Sequence, residues 1–112
     1  VDRKELARAI DVITAAETEK ERAIKLTFDP KGKLELSCKW LDLGFEGRIR
    51  IDAKTRVKQP FEIGYNARYL RNVCDVAQGD ELSITTADAG SPGAIASPDA
   101  TDFFTVLMPM RI

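Results

Sequence analysis

The chain ends in Val106-Leu107-Met108-Pro109-Met110-Arg111-Ile112, an apolar, proline-stiffened tail with no charge before Arg111. The chemistry such residues offer is recognition, not catalysis. Proline cannot donate to a sheet ladder, so a strand over 103–108 must leave its sheet near Pro109. Met108 and Met110 then supply the polarizable, adaptable side chains typical of peptide-accepting surfaces. A last strand packed on the core would also be apolar, and the tail by itself leaves both readings open.

Other chemistry finds little to work with. Histidine is absent, which removes the common general base, the usual partner of a nucleophile and the usual zinc ligand. No Gly-x-x-x-x-Gly-Lys loop offers to cradle a phosphate, and the carboxylates are dispersed on alternating faces. Glu17, Glu19 and Glu21 read as a solvated charged run before a strand, not a cation site. No catalytic residue, metal site or cofactor is expected. Cys38 and Cys74 form no C-x-x-C pair and sit in apolar patterns, which predicts reduced core thiols of a cytoplasmic protein. The sequence shows no secretory signal and no membrane-spanning run, so no membrane partner is expected.

With 112 residues, the chain is expected to form one domain, 1–112, with a single core. Lys plus Arg number 17 and Asp plus Glu 18, for a net charge of −1. That balance argues against a protein that grips nucleic acid through a dominating positive field, but it allows weak contact from one basic face.

The elements that would position these residues follow from periodicity. Asp2 is a candidate N-cap, and Leu6, Ala9, Ile10, Ile13 and Ala16 recur at helical spacing, predicting a helix over 3–16. Alternating strands are predicted at 23–29, 33–39 and 46–52, the first two joined by the turn Asp29-Pro30-Lys31-Gly32. A strand at 60–65 leads into a second helix over 67–77, with Leu70, Val73, Cys74 and Ala77 on its apolar face and Gly79-Asp80 closing it. Three more strands are predicted at 81–86, 93–97 and 103–108. Helix plus three strands thus occurs twice, an α+β pattern in which two adjacent helices pack on antiparallel sheet. Only the second unit shows a complete leading strand; any counterpart in the first would end at Val1.

Glu62-Ile63-Gly64-Tyr65-Asn66-Ala67-Arg68-Tyr69-Leu70, then Asp88-Ala89-Gly90-Ser91-Pro92 and the Met108-Pro109-Met110-Arg111 ending, resembles the third, C-terminal domain of the bacterial DNA polymerase III β subunit, the sliding clamp. Val1-Asp2-Arg3-Lys4-Glu5-Leu6 and Glu19-Lys20 fall where that domain has its first helix and the loop after it, so the resemblance covers essentially the whole chain. It implies the DNA-clamp fold and a non-catalytic replication processivity factor that encircles duplex DNA, one domain excised from a three-domain chain. It also implies a groove for short motifs of polymerases and clamp loader, formed by Asn66, Tyr69, Gly90, Ser91, Pro92, Met108, Pro109, Met110 and Arg111. Gly90 departs from the family's usual apolar side chain, which predicts a shallower groove there.

If the helices line a ring, Lys4 and Arg8, one turn apart on the first, and Arg68 and Arg71 on the second would meet phosphates without reading sequence. Sister clamp domains are the other implied partners. Ala15 and Ala16 stand where the family tends to carry bulky apolar residues at a protomer boundary, which predicts a poor ring-former. Residues 39–45 (Lys-Trp-Leu-Asp-Leu-Gly-Phe) also depart from the family's polar segment and make either a local cluster or an exposed sticky patch. Two other readings remain: a free-standing single-domain relative that binds clamp-type peptides without forming a ring, and an unrelated α+β domain that oligomerises through Trp40 to Phe45.

Overall fold

The computed structural model describes residues 1–15, 23–40, 45–99 and 103–110. The sequence readings on Ala16, Glu17, Glu19, Glu21, Leu41, Leu43 and Arg111 lie outside these residues. Asp2 opens α1 (Arg3–Ile13): its carboxylate accepts the Glu5 amide at 2.8 Å, satisfying one of the donors that a helix start leaves open. Leu6, Ala9, Ile10 and Ile13 are buried along one face. The helix stops short of the predicted residue 16. At the end Thr14 donates both its amide (3.0 Å) and its hydroxyl (2.7 Å) to the Ile10 carbonyl, and the next amide, of Ala15, turns to Val12 instead (3.4 Å).

The strands are β1 (Ala23–Asp29), β2 (Lys33–Trp40), β3 (Phe45–Asp52), β4 (Phe61–Asn66), β5 (Ser83–Thr85), β6 (Gly93–Ala96) and β7 (Phe104–Leu107), with α2 (Ala67–Val76) between β4 and β5. They form two antiparallel sheets, β3-β2-β1-β4 and β5-β6-β7. Gly32, with φ +96°, closes the β1–β2 turn by donating to the Asp29 carbonyl at 3.0 Å. The β2–β3 ladder runs out to Trp40 opposite Phe45. The departing segment 39–45 is therefore bounded by paired strand backbone on both sides.

The antiparallel layer under the helices is divided in a way that periodicity does not reveal. β4, which leads the second unit, pairs with β1 of the first, from Ala23↔Asn66 to Phe28↔Phe61. Reciprocally, Asp2 bridges to Glu81 beside β5, and Val1 and Leu82 exchange backbone bonds of 2.9 and 2.8 Å. Each unit lends its leading residues to the other's sheet, so the halves interlock. Arg3 adds to this lock by donating to the Cys74 carbonyl at 3.0 Å and the Gly79 carbonyl at 2.7 Å, satisfying the C-terminal end of α2.

Ile24, Leu26, Leu34, Leu36, Ile51, Ile63 and Tyr65 bury the inner face of the larger sheet. Its outer face carries cross-strand ion pairs, Lys25–Glu62 at 3.2 Å and Arg50–Glu35 at 3.4 Å. Exposed pairs contribute about 0–1 kcal/mol, against roughly 1.5–3 kcal/mol for each large apolar side chain fully buried, so the core face holds the fold. Cys38 and Cys74 are both in that core with no disulfide between them. Burial pushes the Cys74 thiol up to about 11, leaving it protonated and unreactive at neutral pH. Among the described residues no helix is long and apolar enough to cross a membrane.

Candidate functional site

Three elements meet around Gly64, Tyr65 and Asn66 at the end of β4. The first is the start of α2, where Asn66 is the N-cap and its side-chain oxygen accepts the Tyr69 amide at 3.1 Å. Asn66 is buried with its amide oxygen accepting at the helix start, which leaves its NH2 group free to donate to a ligand. Tyr69, one turn on, is half exposed. The second element is the tail. β7 ends at Leu107, Pro109 breaks the ladder as its missing N–H requires, and the Met110 amide then donates to the Gly64 carbonyl at 2.8 Å. The tail thereby crosses from the smaller sheet to the edge of the larger one.

The third element is the β5–β6 turn. Gly93 pairs with Leu107, and the register continued by one residue sets Pro92 opposite Met108. Asp88 organises the turn: its carboxylate accepts the Gly90 amide and the Ser91 hydroxyl, both at 2.9 Å, and its carbonyl accepts the Ser91 amide at 3.2 Å. Gly90 and Pro92 are exposed and Ser91 half-buried, while Met108 is 62 % exposed and Pro109 and Met110 are half-buried. The structure thus brings Asn66, Tyr69, Ser91, Pro92, Met108, Pro109 and Met110 to one region, with Gly90 at its rim.

The Ser91 hydroxyl above all, then the Gly90 amide, hold the Asp88 carboxyl below its ordinary 3.8. A depressed carboxylate contributes stability that is present above its unfolded value and lost as pH falls through the folded one. The turn should therefore keep its shape from neutral pH down to about pH 4 and loosen only below. Asp88→Asn, which keeps an acceptor but loses the charge, should weaken peptide binding severalfold at pH 7. Equal affinity for the variant and the wild type would separate the turn from the site.

Sequence reasoning missed four contributors. Phe104 and Val106 on β7, 67 % and 54 % exposed, stand in file with Met108 just beyond the strand's end, giving an edge strand an apolar outer stripe. The signal was present, since Phe104-Thr105-Val106-Leu107-Met108 is more apolar than one buried face requires. Beneath the turn and the tail lie Tyr65 and Gly93. Tyr65 is wholly buried, its hydroxyl has no partner among the described residues, and a Cβ on Gly93 would lie 2.1 Å from that oxygen. Such a non-local contact leaves no mark in the sequence.

The four basic residues divide. Lys4, Arg8 and Arg68 are exposed on the helices. Arg71 instead joins α2 to α1, donating to Asp11 at 2.9 Å and also to Asp75, so two carboxylates already meet its charge.

The family described as "DNA polymerase III beta subunit, C-terminal domain" matches residues 1–111. The chain belongs to this family. It is 33 % identical over 113 residues to the beta sliding clamp of Caulobacter vibrioides and 26 % to that of Synechococcus elongatus. It covers all of its own length but only 29–30 % of theirs. Among solved structures, the Caulobacter crescentus beta sliding clamp superposes with a TM-score of 0.92 at 31 % identity, covering 100 % of this chain and 29 % of that one. The Bartonella birtlesii clamp bound to griselimycin gives 0.89 at 30 %, with the same coverage. The clamp-domain fold inferred from the sequence, two helices on antiparallel sheet, is the fold these structures share.

Proposed function

We propose that this clamp domain acts without catalysis in DNA replication, as part of a cytoplasmic processivity ring whose tail-proximal groove docks short motifs of polymerases and clamp loader. The observation that carries the reading is the Met110–Gly64 hydrogen bond. It fixes the tail against β4, two residues from the Asn66 cap, and leaves Met108 standing beside Pro92. An apolar floor with few polar groups at its rim suits a peptide bearing leucine and phenylalanine anchors. Arg111 is assigned to the same groove through the family motif, and Gly90 leaves its rim open.

Duplex DNA is the second partner, met weakly and without sequence preference by Lys4, Arg8 and Arg68 on the helices. Arg71 joins them only if it exchanges its carboxylates for phosphate. Sister clamp domains would complete the ring. Fluorescence anisotropy with a labelled peptide of the Gln-Leu-x-Leu-Phe type tests the docking role. Saturable binding, competed by the unlabelled peptide and lost when its leucine and phenylalanine become alanine, is the expected result. Binding indifferent to those anchors would refute the groove.

A further inference from the structure

Four cations on the strands of the larger sheet are paired: Lys25 with Glu62, Lys33 with Asp52, Arg48 with Glu46 and Arg50 with Glu35. The segment between β3 and β4 breaks that pattern. Ala53-Lys54-Thr55-Arg56-Val57-Lys58-Gln59-Pro60 carries three cations and no acid, in a chain of net charge −1. Lys54, Arg56 and Lys58 are exposed while Thr55 and Val57 are half-buried, the alternation of an extended strand that turns its cations to one side. None of the three has a carboxylate partner among the described residues.

The segment joins neither sheet, yet it is held in place. The Ala53 amide donates to the Gly32 carbonyl at 3.0 Å, and the Thr55 hydroxyl to the Asp29 carbonyl at 2.8 Å. Lys31, exposed on the turn these bonds reach, adds a fourth cation without a carboxylate partner among the described residues. Asp52 pairs with Lys33, while the Asp29 carboxylate accepts the Lys31 amide at 2.7 Å and that of Asp2 caps α1. Asp2, Glu5, Asp52 and Glu81 line the same cleft of about 1010 Å³ as Lys54 and Arg56.

We propose that Lys31, Lys54, Arg56 and Lys58 form a second phosphate-binding edge, which grips a nucleic-acid backbone outside the two-helix face. The proposal rests on the DNA-clamp reading above. Pinned backbone presents four side chains that only donate, with no acceptor to read bases, so the edge would position a polyanion without selecting its sequence. Like charges set in a row repel one another. A backbone carrying regularly repeated phosphates relieves that repulsion and releases counterions as it binds.

The test is the salt dependence of duplex binding by this chain, measured with fluorescent duplex DNA. Substituting Lys54→Gln, Arg56→Gln and Lys58→Gln together should flatten the slope of log affinity against log salt by about 2.7, at roughly 0.9 per phosphate contact. Lys25→Gln with Arg48→Gln and Arg50→Gln removes the same charge from paired positions and should change the slope far less. An unchanged slope in the first variant, or an equal loss in the second, overturns the proposal. Tighter binding of a polyglutamate peptide than of DNA at equal ionic strength also overturns it, in favour of an acidic protein partner. Lys4→Gln with Arg8→Gln and Arg68→Gln reports on the underlying reading. If this set flattens the slope and the 54–58 set does not, only the second edge fails; if wild type binds no duplex even at low salt, both fail.

Discussion

Gly93→Ala should lower the melting temperature by several degrees or more, and Tyr65→Phe in the same chain should restore much of the loss. A Cβ at position 93 would lie 2.1 Å from the Tyr65 hydroxyl oxygen and 3.2 Å from the ring carbon that bears it. Both groups are buried and neither is the free end of a long side chain, so the strain must spread into β6 or β4. Overpacking of this kind typically costs about 1–3 kcal/mol, occasionally more. At roughly 4 °C per kcal/mol for a domain near this size, the shift is easily measured. Removing the hydroxyl leaves only the 3.2 Å contact, which a few tenths of an ångström relieve.

Tyr65→Phe alone should be neutral or stabilising. Its hydroxyl is buried without a partner among the described residues, and an unmet polar group costs about 1–3 kcal/mol. Thermal melts of the two single variants and the double variant form a cycle whose coupling term isolates this contact. A Gly93→Ala protein that melts with wild type, or a double variant no better than the single, would contradict the packing described beneath the site.

Met108→Ala should weaken binding of a Gln-Leu-x-Leu-Phe peptide by about tenfold or more while the fold persists. Truncating a central apolar anchor at such sites costs about 1–4 kcal/mol, and 1.4 kcal/mol is tenfold in affinity. The fold should tolerate the change because the Met108 side chain is 62 % exposed and takes little part in the core. Circular dichroism establishes the second half of the expectation and anisotropy the first. Unchanged affinity would remove Met108 from the groove; a collapsed fold would make it a core residue instead.

Much of this architecture was legible because helices and strands write their periods into the chain. Leu6, Ala9, Ile10 and Ile13 repeat every three or four residues, and the alternation through Ile24, Leu26, Leu34 and Leu36 marks β1 and β2. One cap was legible too, since Asp2 is a short polar side chain set just before an apolar helical repeat. What was not legible depends on partners distant in sequence. Nothing near Phe61 says that β4 will join β1 instead of the strands of its own unit. Arg71 reads as a free cation on a helix face until α1 brings Asp11 beside it, sixty positions away.

The candidate site shows the same division. Its chain positions were carried by the motifs around Asn66, Ser91 and Met108, whereas its depth depends on Tyr65 beneath Gly93.

The most direct test of the groove is amide chemical-shift mapping of the 15N-labelled chain as the Gln-Leu-x-Leu-Phe peptide is added. The largest changes should fall on Tyr69, Ser91, Gly93, Met108 and Met110, with the β3 edge and residues 53–57 unmoved. Changes concentrated on those last two regions, with the tail and the 88–92 turn unaffected, would contradict a peptide groove at the tail.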